Sequence, residues 1–524
     1  MAADPNVATR LATLGDTLGA VTLLDLEPAR PLLVAGYSHR KGGKPPRNPV
    51  AMLRALALML MCGLTSINHW VRRLKGEPEL LVLSGFDPAA GAPGVGTFYD
   101  FIARILDGAY DSHLKPGSRP SDRVRARSFL RQLGEEKTAR KAVTQAELAL
   151  ANQGRVEQLV KAGIAARGQP TPNDFSYRLN EILTLCAVVP SAAMGLLGDL
   201  RSLVMAGDGT SIRSHAADFG HATCTCKKDG LPKCSCYRRY SDPTATCGWD
   251  SHREEYYFGY RLHALVSHFE AKDLPLQVSA EGAHTPDVVM GVEATLRLTK
   301  RFSLPDLRTH VSKAVWDAGY DAMGFYRLHA ALGIAPLIPL ATVAKTPACV
   351  DQIPRNDEGT PLCKGLLPMR LHQRNVPDQE LVYNCPVKRP GRENGKPVFK
   401  NHVEECPLGV LCDSKSVMGP IVHLKLAGDP RMNLAIPRES AQFTELYKER
   451  TTTERFNSTL KSKGHMANGA FRRQHVAHMA GMLHAVGMHA KAWVKKLFGM
   501  ATKVDVSAVL ARLRKEVEPK LAVG

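Results

Sequence analysis

Six residues of this chain have the types and spacing that phosphodiester chemistry needs. They are the carboxylates Asp208, Asp317 and Glu454 and, around the last of these, Tyr447, Arg450 and Lys461. An α-helix advances about 100° per residue, so taking Tyr447 as zero puts Arg450 near about 300°, Glu454 near about 340° and Lys461 near about 320°. One phenol, one carboxylate and two cations then share a strip roughly 60° wide. A solvated face held by an Arg450–Glu454 pair has the same pattern, so the strip gains meaning only beside other groups.

Those groups are two aspartates. "LVMAGDGTSI" sets Asp208 at the end of an apolar run, between Gly207 and Gly209, which leave room for a ligand to approach the backbone. "SKAVWDAGYDA" sets Asp317 in the same way, with Gly319 two residues on. A strand-end aspartate often only caps a turn, but ligands of open α/β sheets also gather beyond strand C-termini. Three carboxylates offer the hard oxygen ligands that a pair of Mg²⁺ ions takes, with Mn²⁺ as an alternative. Two such ions suit displacement at a phosphodiester.

The elements that must position these residues are legible as changes of texture. Residues 48–110 read as helices, with a cap at Ser66 and a stop at Gly76. Helix, short turn and helix is compatible with a DNA-reading pair that presents Asn68, His69, Arg72 and Arg73, and equally with a small bundle. Residues 113–141 hold nine Lys or Arg against three acids and read as a linker leading into a basic helix. From 200 onward, "SLVMAGD", "YFGYRLHALVSH", "LPLQVSAEG", "KAVWDAGYD" and "IAPLIPL" read as strands, with a helix at "PDVVMGVEATLRLTKRF" between the third and fourth. The expected organisation is a helical N-terminal domain over 1–112, which we expect to bind DNA, and a basic linker with helices over 113–195. The first part of an α/β core follows over 196–344, with a Cys-rich hairpin at 215–250. A loop-heavy, β-rich, Cys-containing insertion spans 345–440, and a helical C-terminus over 441–524 carries Glu454.

The order Asp208, Asp317, Glu454, with Tyr447, Arg450, Glu454 and Lys461 spaced as Y-x2-R-x3-E-x6-K, resembles the DDE transposases of bacterial insertion sequences, in the group with the Tyr/Arg/Glu/Lys signature. "YYFGYRLHALV", "GAHTPDVVMG" and "VWDAGYDAMGFYRLHAALGIAPLIP" resemble segments around the first and second aspartates of that group, and "GEPELLVLSGFDPAAGAPGVGTFYDFIARI" its helical domain. The resemblance implies an RNase H-like mixed-sheet core interrupted by an insertion before the Glu. It implies cleavage of double-stranded DNA at transposon ends and joining of the 3′-OH ends to target DNA. Asp208, Asp317 and Glu454 would bind the two Mg²⁺ ions, Tyr447, Arg450 and Lys461 would hold DNA, and paired ends would call for at least a homodimer. Two rivals are a catalytically inactive DNA-binding protein descended from a transposase and an RNase H-like nuclease without strand transfer.

Composition agrees with a polyanionic partner. The formal charge is +19 and the pI near 9.4, at 44% hydrophobic residues over 524. The most apolar run, "AMLRALALMLMCGL", contains Arg54 and is too short to span a bilayer, and no secretory signal opens the chain, so a bacterial cytoplasmic, nucleoid-associated protein is expected. In that compartment the 12 cysteines are thiols or metal ligands. Cys224, Cys226, Cys234 and Cys236 form C-x-C pairs seven residues apart, which could hold structural Zn²⁺ or remain reduced. His215, His221 and Cys247 are substitutes, and Cys363, Cys385, Cys406 and Cys412 form a second, wider set. His284 and Asp287 read either as supports of the site or as turn and cap residues. The His and Met positions in "FRRQHVAHMAGMLHAVGMHAKAWVKK" read as a packed amphipathic helix.

Overall fold

The computed structural model describes residues 5–37, 45–105, 145–169, 174–222, 224–230, 238–302, 309–341, 353–412, 414, 416–463, 466–467 and 471–498. The basic stretch 113–141, Cys234, Cys236 and the residues after 498 lie outside these. The protein is a mixed α/β structure. Its N-terminal part contains α1 (Asp16–Leu23), α2 (Pro49–Met61), α3 (Ile67–Gly76) and α4 (Val95–Ile105). α2 begins where Asn48 Oδ1 accepts the Val50 N–H at 3.0 Å with Pro49 in its first turn, and α3 where Ser66 Oγ accepts the His69 N–H at 3.3 Å. α3 buries Ile67, Trp70, Val71 and Leu74 at helical spacing and leaves Asn68, His69 and Arg72 exposed. Arg73 differs from the expectation of a residue free to face DNA. Its guanidinium grips both oxygens of Glu77 at 2.7 Å.

Helices α5 (Gln145–Ala165) and α6 (Phe175–Leu183) lead to a six-stranded sheet. Its strands are β1 (Leu203–Arg213), β2 (Thr246–Asp250), β3 (Glu255–Phe269), β4 (Lys272–Gly282), β5 (Val311–Val315) and β6 (Ala335–Leu337). Between β4 and β5 runs α7 (Asp287–Phe302), and between β5 and β6 α8 (Met323–Leu332), which ends on Gly333 in the left-handed conformation that glycine adopts without strain. The five apolar segments read from the sequence are β1, β3, β4, β5 and β6. β3 pairs antiparallel with β1 on one edge and with β2 and then β4 on the other. β1, β5 and β6 run parallel.

The insertion forms a sheet of β7 (Arg370–Asn375), β8 (Glu380–Asn384) and β11 (Ile421–Lys425), plus a hairpin of β9 (Lys388–Glu393) and β10 (Lys396–Asn401). Met369, Leu381, Tyr383 and Leu424 give it a small core of its own. A buried ion pair joins it to the sheet. Arg431 Nε and Nη2 donate to the two oxygens of Asp321 at 2.7 and 2.6 Å, with the side chains 5% and 1% exposed.

The described residues close with α9 (Ala441–Tyr447), a 3-10 turn over Lys448–Arg450, α10 (Thr451–Ser462) and α11 (Gln474–Phe498). α11 packs on β4 on one side and on α1 and α2 on the other, so buried residues from Ala20 through Trp70 to Trp316, Phe456 and Trp493 form one continuous core. Two histidines of α11, His478 and His489, have a specific task. β4 has β3 on one edge only, and three of its carbonyls are met by side chains. Val278 O takes Asn180 Nδ2 and His478 Nε2, each at 2.7 Å, Ala280 O takes Gln474 Nε2 at 2.8 Å, and Pro275 O takes His489 Nε2 at 2.8 Å. The exposed rim of the sheet is thereby closed to further strands. Burial pushes His478 and His489 down to about 4, which keeps both neutral.

Arg431→Met leaves the Asp321 carboxylate buried without its charged partner, with the Tyr326 hydroxyl and the Ala341 N–H still donating to it. We expect a loss of about 3–5 kcal/mol in folding stability, measured by urea denaturation.

Candidate active site

Asp208 lies inside β1, not at its end, which corrects the sequence reading. β3 goes on pairing with β1 as far as Arg213, long after β5 has stopped. The sequence's sense of an end is still physically sound on the other edge. Ala206 is in register with Val315 of β5, and Asp208 and Asp317 each lie two residues further on. Asp317 is in extended backbone (φ −79°, ψ 174°), so both side chains point to the same face of neighbouring parallel strands, whose backbones run about 4.8 Å apart. Asp317 also caps a turn, its Oδ1 accepting the Gly319 N–H at 2.9 Å.

The glycines beside Asp208 serve packing and not ligand access. A Cβ on Gly207 would overlap the Trp316 indole, and a Cβ on Gly209 would overlap the Asp287 carboxylate. Trp316 is locked in place: its Nε1 donates to His329 Nε2 at 3.0 Å, and its ring meets Tyr320 and Phe325 at 4.7 and 4.9 Å. Beneath the pair, buried His263 bonds Tyr320 OH at 2.8 Å and is pushed by burial down to about 3.

α10 brings the third group. It docks through buried Phe456 and Leu460, and Arg455 clamps Asp273 from Nε and Nη2 at 2.6 and 2.8 Å. On its other flank Asn457 Nδ2 donates to Asp208 Oδ2 at 3.3 Å, and Lys461 Nζ donates to Ser211 Oγ at 3.4 Å. Glu454 is exposed on the same flank and pairs with Arg450 Nη2 at 2.9 Å. The helix expected through 447–461 is broken: the 3-10 turn tightens Lys448–Arg450 to about three residues per turn, which stacks Arg450 over Tyr447 and still leaves it within reach of Glu454.

Electrostatics tie these residues together. Asp208 is held up to about 7, by burial first and then by the charges of Asp287 and Asp317, against the Gly209 N–H and Arg450. Burial also raises Asp317, opposed by the Gly319 N–H and Arg450. The Tyr447 phenol is raised by burial, opposed by Arg450, and raised further by Asp317, Glu454 and Asp208, so it senses all three carboxylates. Burial lowers Lys461, against which Asp250 and Asp208 act. Asp208, Asp317 and Glu454 do not all close to within 4.8 Å of one another; among the described residues only His402, Glu404 and Glu405 meet that distance.

Sequence reasoning weighed Asp287 and missed its partner. Asp287 opens α7 and pairs with Arg261 of β3, while its Oδ1 is buried with no hydrogen-bond partner beside Gly209. His284, by contrast, is a turn residue exposed beside Thr246, with its Nδ1 3.0 Å from the hydroxyl. Asn457 and the Trp316–His329 lock were also missed. The "GDG" and "VWDAG" glycines were the available signal, since a glycine beside a polar residue marks close approach.

Cys224 and Cys226 sit on a half-exposed turn, and Cys234 and Cys236 lie outside the described residues. In the insertion, the sulfurs of Cys363 and Cys406 both lie 3.7 Å from the point where a Cβ on Gly365 would be. Among the described residues no three thiols come within 4.8 Å.

Residues 19–104, which run through α1 to α4, match a family described as a transposase domain, DUF772. No curated protein and no solved structure matches the chain. The match supports a transposase role. No helix among the described residues is long and apolar enough to cross a membrane.

The raised Asp208 has a consequence for stability. The folded state keeps its proton to about pH 7, whereas an unfolded aspartate releases it near about 3.9. Between these values the native state binds the extra proton, so stability falls as pH rises from about 4 to about 7. In chelator, urea midpoints of wild type and Asp208→Asn are expected to converge near pH 4, with the variant more stable at pH 7.

Proposed function

We propose that the chain is a DDE-type transposase with an RNase H-like core, which cleaves double-stranded DNA at the ends of its element and joins the 3′-OH ends to target DNA. The observation that carries this is the matched placing of Asp208 and Asp317, each two residues beyond the last residues paired between β1 and β5, beside α10 with Glu454 and Lys461 on one flank and the preceding 3-10 turn with Arg450. The strand order β4–β3–β1–β5–β6, antiparallel in its first half and parallel in its second, supports the RNase H-like reading. The transposase-domain match at 19–104 supports the activity class.

Asp208, Asp317 and Glu454 would hold two Mg²⁺ ions, with Mn²⁺ as an alternative. The donor set fits: Asp208, Asp317 and Glu454 offer hard carboxylate oxygens, and a divalent cation would offset both the burial and the charges of Asp287 and Asp317 that hold Asp208 up to about 7. Held there, the ions would supply activation of an attacking oxygen and stabilisation of a leaving one. The protein's own part is positioning. Arg450 and Lys461 grip backbone phosphates, Arg450 as a planar fork and Lys461 as a point charge, and Tyr447 packs beside them. A phosphate that draws Arg450 away frees Glu454 to turn towards the two aspartates. Two ends held for joining require at least a homodimer on DNA, and the exposed face of α3 with Arg72 is a candidate reader of the ends. The protein acts in the bacterial cytoplasm at the nucleoid.

The test is cleavage and joining of labelled duplexes carrying the sequences that flank this protein's gene, with Mg²⁺. Wild type is expected to cut and join. Glu454→Gln, which keeps the shape and removes the charge, should bind DNA equally and lose chemistry by orders of magnitude. Binding without cutting by both proteins would favour the inactive DNA-binding descendant, and cutting without joined products the nuclease.

A further inference from the structure

The ends of α2 and α10, the start of β4 and one face of α11 enclose a cavity of about 630 Å³. That volume suits a small organic molecule. The cavity lies on the far side of α10 from the candidate site, because Lys463 in its wall comes nine residues after Glu454 and so falls about 180° around the helix from it.

Its lining is of two kinds. Leu60, Met61, Leu483 and Met488 give apolar surface, and the two methionines can adapt to the outline of a ring. Lys463, Lys491 and Lys495 give three positive charges, and among the described residues none of them forms an ion pair. The other charges of the lining are already engaged or outnumbered. Lys272 pairs with Glu270 at 3.5 Å and Asp273 is held by Arg455 and His268, which leaves Asp16 as the one acid of the lining to face the three lysines. Burial lowers the half-buried Lys491, and the charges of Lys463 and Lys495 lower it further, with Asp16 and Cys62 acting against them. Ammonium groups that repel one another around a partly enclosed apolar space gain from an anion placed between them.

We propose that this cavity binds a small phosphorylated molecule with an apolar ring, of the nucleotide class, its phosphates on Lys463, Lys491 and Lys495 and its ring against the methionines. Compact ammonium charges suit phosphate oxygens, and the cavity is larger than an inorganic ion alone would fill. The same lysines have the chemistry to meet the phosphates of a DNA strand, but the enclosure and the apolar lining favour the free molecule. The inference is independent of the DNA reading. Its ligand would tie the N-terminal helices to α10, the helix that carries Glu454.

The probe is ATP, titrated calorimetrically into the full chain in chelator, so that no metal holds the nucleotide at the carboxylates. One ATP per chain is expected to bind. Affinity should fall about tenfold in Lys491→Met, which keeps the apolar stem, and in Lys495→Gln, which alters only an exposed side chain. Lys396→Ala, which removes an exposed lysine of β10 outside the cavity, should bind as wild type does. Pyrophosphate alone and adenosine alone should each bind at least about tenfold more weakly than ATP. Absence of ATP binding by wild type, equal weakening by all three substitutions, or pyrophosphate binding as tight as that of ATP overturns the inference. Duplex DNA that displaces ATP, and itself loses affinity in both cavity variants, assigns the lysines to the path of DNA and overturns it too. None of these results bears on cutting and joining by wild type, which tests the transposase reading separately.

Discussion

The indole of Trp316 lying across Gly207 is the contact on which the remaining geometry depends. A side chain at 207 would lift the ring and separate β1 from β5 at the point where their pairing ends. With the ring seated, Ala206 meets Val315 and the two aspartates follow in step. A slip of one residue in either strand would send one carboxylate to the opposite face of the sheet. The same indole is held from behind by His329, which burial pushes down to about 4 and so keeps neutral. Aromatic packing thus sets the spacing of charged groups that repel each other.

That repulsion is the second organising force. Asp208, Asp287 and Asp317 face one another, and the protein offsets them with Arg261 from the sheet and Arg450 from the helical segment. The two arginines differ in permanence. Arg261 is mostly enclosed and bonded to Asp287, whereas Arg450 is half-exposed at a 3-10 turn and shared with Glu454. One is built into the sheet, and the other is held by a single half-exposed ion pair. The burial of Phe456 and Leu460 with the Arg455–Asp273 clamp fixes α10 independently of either.

Much of this was legible in the sequence. The apolar runs became the strands because both faces of the sheet are covered, and Ser66 capped α3 as its type demands. Asp208, Asp317 and Glu454 could be picked out by chain order and by the helical offsets around Glu454. What was not legible depends on partners distant in the chain. The purpose of Gly209 is visible only with Asp287, 78 residues on, and the histidines of α11 read as packing until β4 shows its unpaired carbonyls. Arg73 looked available for DNA because its bond to Glu77 costs nothing in pattern: an exposed cation and a paired one share the same periodicity. The 3-10 turn at Lys448–Arg450 left no sign, since none of its residues breaks a helix. For Cys234, Cys236 and the basic stretch 113–141 the sequence reading stands alone.

The shared core has a consequence for what fragments of this protein can exist. α11 is at once the wall on which α1 and α2 pack and the rim guard of β4, and it lies at the far end of the described chain. A translation product stopped before Gln474 would expose the apolar faces of the N-terminal helices and the carbonyls of a bare strand together. Early termination therefore yields aggregation-prone chains, not a shortened form that keeps the N-terminal fold, and shedding the sheet would take new apolar contacts as well as a stop codon.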